Sequence, residues 1–98
     1  MAKVVTVSVS STPRKIVTAG LFGTEVTFVD VANSALWIGG SDIDASGPGG
    51  TVEHGVNVPT TGPLQVDLTV SEELWAVVPA SAGGPFSYSF LTTDGVIV

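Results

Sequence analysis

The chain has 98 residues, no cysteine, and a formal net charge of −6 from three Lys and Arg against nine Asp and Glu. Disulfide frameworks and thiolate chemistry are excluded, and three cations cannot neutralise the phosphates that general nucleic-acid binding requires. Only 12% of residues are charged and 44% are apolar, so a single domain spanning 1–98 with a low-charge surface is expected, suited to burial against a partner.

The elements follow a period of two. Val5, Val7 and Val9 alternate with Thr6, Ser8 and Ser10, which predicts a first strand with one buried face, interrupted at Pro13. A short second strand is expected over Lys15–Ala19 and a stronger third over Glu25–Ala32. In the third, Val26 and Phe28 point one way and Val29 and Val31 the other, so both faces should be covered. Asn33-Ser34 has turn chemistry, and Leu36-Trp37-Ile38 reads as a short apolar strand stopped by Gly39-Gly40.

From Ser41 to Pro63 the glycines and prolines predict irregular chain, with an edge strand possible at Gly55–Val58. Leu64, Val66, Leu68 and Val70 alternate with Gln65, Asp67 and Thr69 and are expected to face the core. Glu72-Glu73 sit at a turn, Leu74–Val78 is the next strand, and Ala80–Pro85 is a glycine-rich connection. Phe86, Tyr88 and Phe90 alternate with Ser87 and Ser89, and Asp94-Gly95 signals a hairpin into Val96-Ile97-Val98. No segment carries a 3.6-residue period. The fold class is therefore all-β, an antiparallel β-sandwich or small jelly-roll-like barrel of about eight short strands.

Charge is segregated along the chain. Lys3, Arg14 and Lys15 are the only cations, and every carboxylate, from Glu25 to Asp94, follows them. Residues 1–15 are expected to form an N-terminal arm or edge strand that reaches an acidic surface. The polar cover is otherwise hydroxylic, eleven Thr and ten Ser, groups that cost less to desolvate than charges. No apolar run approaches the 18 or so residues of a membrane helix, and Met-Ala-Lys-Val-Val lacks the apolar core of a signal peptide, so neither a membrane nor secretion is expected.

No catalytic constellation is present. His54 is the only histidine, there is no cysteine, and no serine lies in a Gly-x-Ser-x-Gly elbow, so a triad or metal site has no members to draw on. Asp42 and Asp44 have an alternate spacing a calcium loop could use, but no third ligand and no closing glutamate follow. The adjacent Glu72 and Glu73 point in different directions and cannot act as an acid/base pair. The pairs Gly39-Gly40, Gly49-Gly50 and Gly83-Gly84 read as tight turns and bulges needing positive φ, because none precedes Lys-Ser/Thr. Trp37, Trp75 and Tyr88 could line a sugar platform or anchor a subunit interface. The expectation is a protein that is not an enzyme, with no cofactor and no metal.

The segment Leu36-Trp37-Ile38-Gly39-Gly40-Ser41-Asp42-Ile43 resembles a recurrent element of small virion proteins of tailed bacteriophages, in which an aromatic strand ends in Gly-Gly and a Ser/Asp loop. Thr6–Pro13, Lys15-Ile16-Val17 with Glu25–Val31, and Glu73-Leu74-Trp75-Ala76-Val77 resemble further elements of that family in the same order. The resemblance implies a small β-sandwich that decorates the capsid exterior, made in the host cytoplasm and located on the virion. The implied partners are the major capsid protein and further copies of the chain, as a trimer or pentamer, with no nucleic acid or membrane. A tail- or fibre-associated module and a carbohydrate-binding adhesion module are the alternatives. The loop Asp44–Pro59 and the Ala80–Pro85 connection depart from the family's commonest form. Contacts are expected at Lys3, Arg14, Lys15, Trp37 and His54, with the Asp44–Pro59 loop beside them.

Overall fold

Strand-forming valines and threonines, interrupted by glycine and proline, give nine strands among the described residues. A computed structural model describes residues 3–21, 23–29, 31, 33, 35–60, 63–93 and 96–97. The strands are β1 (Lys3–Val9), β2 (Arg14–Thr18), β3 (Thr24–Phe28), β4 (Trp37–Asp44), β5 (Glu53–Asn57), β6 (Leu64–Leu68), β7 (Glu73–Val77), β8 (Phe86–Thr92) and β9 (Val96–Ile97). Two single-turn 3₁₀ segments, Pro48–Gly50 and Ala80–Ala82, are the only helical pieces described.

The strands form two antiparallel sheets. Sheet A has the order β1-β8-β3-β6 and sheet B the order β5-β4-β7-β2-β9. The pairs β1·β8, β2·β7, β3·β6 and β4·β5 are nested about the β4–β5 connection. The chain is thus one long hairpin rolled over on itself, the jelly-roll arrangement, with β9 added beside β2. The sheets stay separate, which makes this the sandwich of the two expected architectures.

The core lies between the sheets. Val7 and Val9 of β1, Val26 and Phe28 of β3, and Tyr88 and Phe90 of β8 face Ile16, Val17, Ile38, Leu74, Ala76 and Val78 from the sheet B side. The Phe28 and Phe90 rings lie 5.4 Å apart in a tilted arrangement, a favoured aromatic geometry. The Tyr88 hydroxyl donates to Asn33 Oδ1 at 2.7 Å, so its polar end is satisfied inside. Burial pushes the Tyr88 phenol above its ordinary pKa.

Several expectations are corrected. Gly39-Gly40 do not stop β4, which continues to Asp44 across a bulge. The stretch 41–63 is accordingly half regular, and β5 occupies the middle of the expected Asp44–Pro59 loop. Positive φ occurs at Gly49, Gly50, Gly83 and Gly84 but not at Gly39 or Gly40. The third strand ends at Phe28 and is covered on one face only, leaving Val29 51% exposed. Val70 lies past the end of β6 and is exposed, while Leu64 and Val66 are half-buried because β6 is a sheet edge. The expected Asp94-Gly95 turn, together with Ser34, Thr61, Gly62 and Val98, lies outside the described residues. β9 pairs with β2 in sheet B, so it does not form a hairpin with β8.

The register places two carboxylates opposite one another. Glu25 of β3 faces Asp67 of β6 on the exposed side of sheet A, and like charges directly opposed destabilise a sheet. Asp67→Lys is expected to stabilise the isolated protein by about 0.5 kcal/mol, raising Tm by about 2–4 °C. A calorimetric scan checks this, and a lowered Tm would contradict the register.

Candidate interaction surface

In β1 Val5, Val7 and Val9 turn toward the core and Val4, Thr6 and Ser8 are exposed. In β8, Ser87, Ser89 and Leu91 are exposed in the same way. The register aligns them: Val4 faces Leu91, Thr6 faces Ser89 and Ser8 faces Ser87, while Leu91 also faces Thr27 of β3. Thr27 in turn faces Gln65 of β6. A row Val4–Leu91–Thr27–Gln65 therefore crosses the whole width of sheet A.

Along this face the apolar groups stand out of water. Val4 is 70% exposed, Val29 51% and Leu91 39%, and the hydroxyls beside them are few-atom groups, Thr6 Oγ1 and Ser89 Oγ being hydrogen-bonded to each other at 2.8 Å. Among the described residues its charges, Glu25 and Asp67, lie on the paired strands β3 and β6, away from β1. A shallow depression of 110 Å³ lies between Val4, Thr27, Val29 and Leu91. A surface with these properties loses little polar solvation on being covered. The sequence pattern contained one signal for it. Leu91 breaks the serine alternation on the outward side of β8, where a polar residue would be the ordinary choice.

A second feature opens between the sheets at the β5/β6 flank. There Leu64, Val66 and Leu68 of β6 face Ile38, Val56 and Leu74 across a cleft of 390 Å³, with Asp67, Glu72 and Glu73 at its mouth. Val56 belongs to this wall and is 63% exposed.

The outer face of sheet B is covered by the chain itself. Ile43, Ala45 and Val77 form a second buried cluster with Trp37, Val52 and Trp75 packed against it. The bulge in β4 makes this possible: residues 40–43 swing out, and Ile43 folds back over the strand pair. Gly39 and Gly55 lie opposite one another beneath it. A Cβ on Gly55 would stand 2.7 Å from Ile43 Cδ1, and one on Gly39 2.7 Å from the His54 carbonyl oxygen. Gly55 thus clears space for Ile43, and Gly39 for the backbone of β5.

The five residues singled out in the sequence are dispersed. Lys3 opens β1 at the edge of sheet A and is exposed. Arg14, on β2, donates from Nη1 to the Ser8 carbonyl of β1 at 2.9 Å, tying the sheets together at that flank. Lys15 faces Trp75 on sheet B and lies 3.6 Å from Glu73 Oε2, whose other oxygen accepts the Trp75 indole N–H at 3.1 Å. Trp37 is half-buried in the second cluster, so it is not the exposed aromatic expected of a contact residue. His54 lies on β5, not in a loop, with φ of 59° and Nδ1 3.8 Å from Asp42 Oδ2.

Asp44 accepts hydrogen bonds from the Ser46 N–H and hydroxyl, both at 3.0 Å. Those bonds, backbone first, hold its carboxyl below the usual carboxylate range, and the nearby His54 adds to the effect. This is a side chain closing its own turn. Among the described residues no group of three His, Cys, Asp or Glu side chains is placed to hold a metal ion, and no helix is long and apolar enough to cross a membrane. No known protein-family model, characterised protein or solved structure matches this chain.

Proposed function

We propose that this chain is a non-enzymatic structural protein that coats a larger assembly, in its most concrete form a decoration protein on the outside of a bacteriophage capsid. The observation that carries the reading is the outer face of sheet A, with Val4, Val29 and Leu91 exposed among hydroxyls and, among the described residues, with charge at the β3/β6 side only. Such a face suits burial against a broad partner surface better than capture of a small substrate. The jelly roll is shared by capsid and lectin domains, and a fold alone does not decide function. The virion-protein resemblance of the Leu36–Ile43 and Glu73–Val77 segments favours the capsid side of that pair, with the major capsid protein as partner and several copies acting together. A sugar platform needs a flat indole in the open, whereas Trp37 and Trp75 are held against Ile43, Val52 and Val77.

The test is attachment of the purified protein to shells that lack it. Wild-type protein is expected to co-sediment with the shells. The double variant Val4→Asp/Leu91→Asp should lose at least about tenfold in occupancy, because both carboxylates would be desolvated in the contact. Undiminished attachment of a folded double variant would remove sheet A from the reading.

A further inference from the structure

Sheet A has four strands, each antiparallel to the next, so its two edges, β1 and β6, run in opposite directions. An edge strand offers a row of backbone donors and acceptors to whatever strand comes alongside. A copy of the same sheet placed side by side would bring its β1 antiparallel to β6, continuing the ladder without a change of pattern.

Three further observations fit that juxtaposition. First, the inward residues at both edges are incompletely covered: Val5 on β1 and Leu64 and Val66 on β6 are only partly buried against the core. Added strands at those edges would cover them. Second, the edges carry opposite charge. Lys3 begins β1, and β6 carries Asp67, with Glu25 across from it and Glu72 beside the cleft mouth. A symmetric antiparallel pair of β1 edges sets the two Lys3 side chains at opposite ends without a charged partner, whereas the unlike pairing sets Lys3 beside Asp67, so charge favours the unlike pairing. Third, one residue fixes the extent. Arg14 occupies the Ser8 carbonyl, which leaves Lys3–Val7 as the open length of β1, and β6 has the same five residues, Leu64–Leu68.

We infer that the partner of the β6 edge is the β1 edge of a second copy of this chain, joined head to tail with Val4 of one copy opposite Asp67 of the next. That register keeps outward residues with outward and inward with inward. It sets Thr6 against Gln65 on the outer face, Val5 against Val66 and Val7 against Leu64 on the inner, and Lys3 against Leu68 beside the cleft carboxylates. The interface is heterologous, so successive copies form a ring if the rotation closes and a filament if it does not. This deepens the multi-copy part of the coating reading, since the outer faces of sheet A become one continuous floor.

The cysteine-free chain allows a direct test. Val4→Cys is placed in one sample and Asp67→Cys in another, and the two are mixed and oxidised. The mixed disulfide is expected in about tenfold excess over either symmetric dimer, because only unlike edges approach within bonding distance. In parallel, Lys3→Glu and Asp67→Lys should each weaken self-association about tenfold by sedimentation, and mixing the two variants should restore it. Asp67→Lys is expected to fold at least as well as wild type, so its loss of association cannot be ascribed to unfolding. Predominance of symmetric disulfides, or a wild type that stays monomeric at millimolar concentration in low salt, overturns the inference. A monomer that still binds shells would overturn this interface and leave the coating function standing.

Discussion

Phe28→Ala is expected to lower the stability of the protein by about 3–5 kcal/mol, the cost of emptying a fully buried aromatic site. Domains of this size have about 5–15 kcal/mol in total, so the variant should be largely unfolded at temperatures where wild type is intact. Phe28 is 1% exposed, ends β3, an inner strand of sheet A, and lies tilted against Phe90 at 5.4 Å. Two sheets hydrogen-bonded along their lengths cannot collapse into the cavity. Phe28→Leu, which keeps most of the volume, should cost less than about 1.5 kcal/mol. Urea unfolding followed by tryptophan fluorescence measures both. A Phe28→Ala variant within about 1 kcal/mol of wild type would mean that the sheets do not meet at this residue.

Gly39→Ala is the second large effect, expected at about 1–3 kcal/mol. The added methyl would meet the backbone oxygen of His54, and a backbone atom in a paired strand moves only with its strand. Gly55→Ala meets the tip of the Ile43 side chain instead, which can change rotamer, so its cost should be smaller. Ile43→Ala should then recover part of the Gly55→Ala loss and none of the Gly39→Ala loss, a coupling that a double-mutant cycle resolves. Near-ultraviolet circular dichroism should change for Gly39→Ala, because Trp37 and Trp75 lie in the cluster that Ile43 caps. Equal losses at the two glycines, with no dependence on Ile43, would show that the hairpin does not fold back as described.

β1, β2, β6, β7 and β8 fall within a residue or two of the expected segments. In β1, β6 and β8 a strict alternation marks one face for the core, whereas β2 and β7 were legible as short apolar runs bounded by Pro13, Gly20 and Pro79. The region 41–63 was misread for a physical reason. Its glycines looked like chain breakers, yet Gly55 is needed inside the paired strand β5 so that Ile43 of β4 can lie across it. That requirement is tertiary and leaves no local trace. Ile43 between Asp42 and Asp44 likewise resembles a polar loop until the bulge turns it inward. The interaction surface was half visible. The low charge of the chain was legible, whereas the exposed Val4 and Leu91 become neighbours only through the β1·β8 register, and Trp37 packs against the second cluster.

The segregation of charge in the sequence is carried into sheet A, where Lys3 opens β1 at one edge and Asp67 lies on β6 at the other. Sheet B does not keep it, because β2 pairs with β7 and sets Lys15 3.6 Å from Glu73.

The nesting of the strand pairs governs how the protein assembles itself. Among the described residues only β4·β5 joins consecutive strands, and each further nested pair encloses those inside it, until Lys3 meets Thr92. Closure entropy rises with every turn of the roll, so the chain should fold slowly, on the millisecond-to-second scale of β-proteins dominated by distant pairings. The strand at its free margin, β1, would be the last to close and the first to let go.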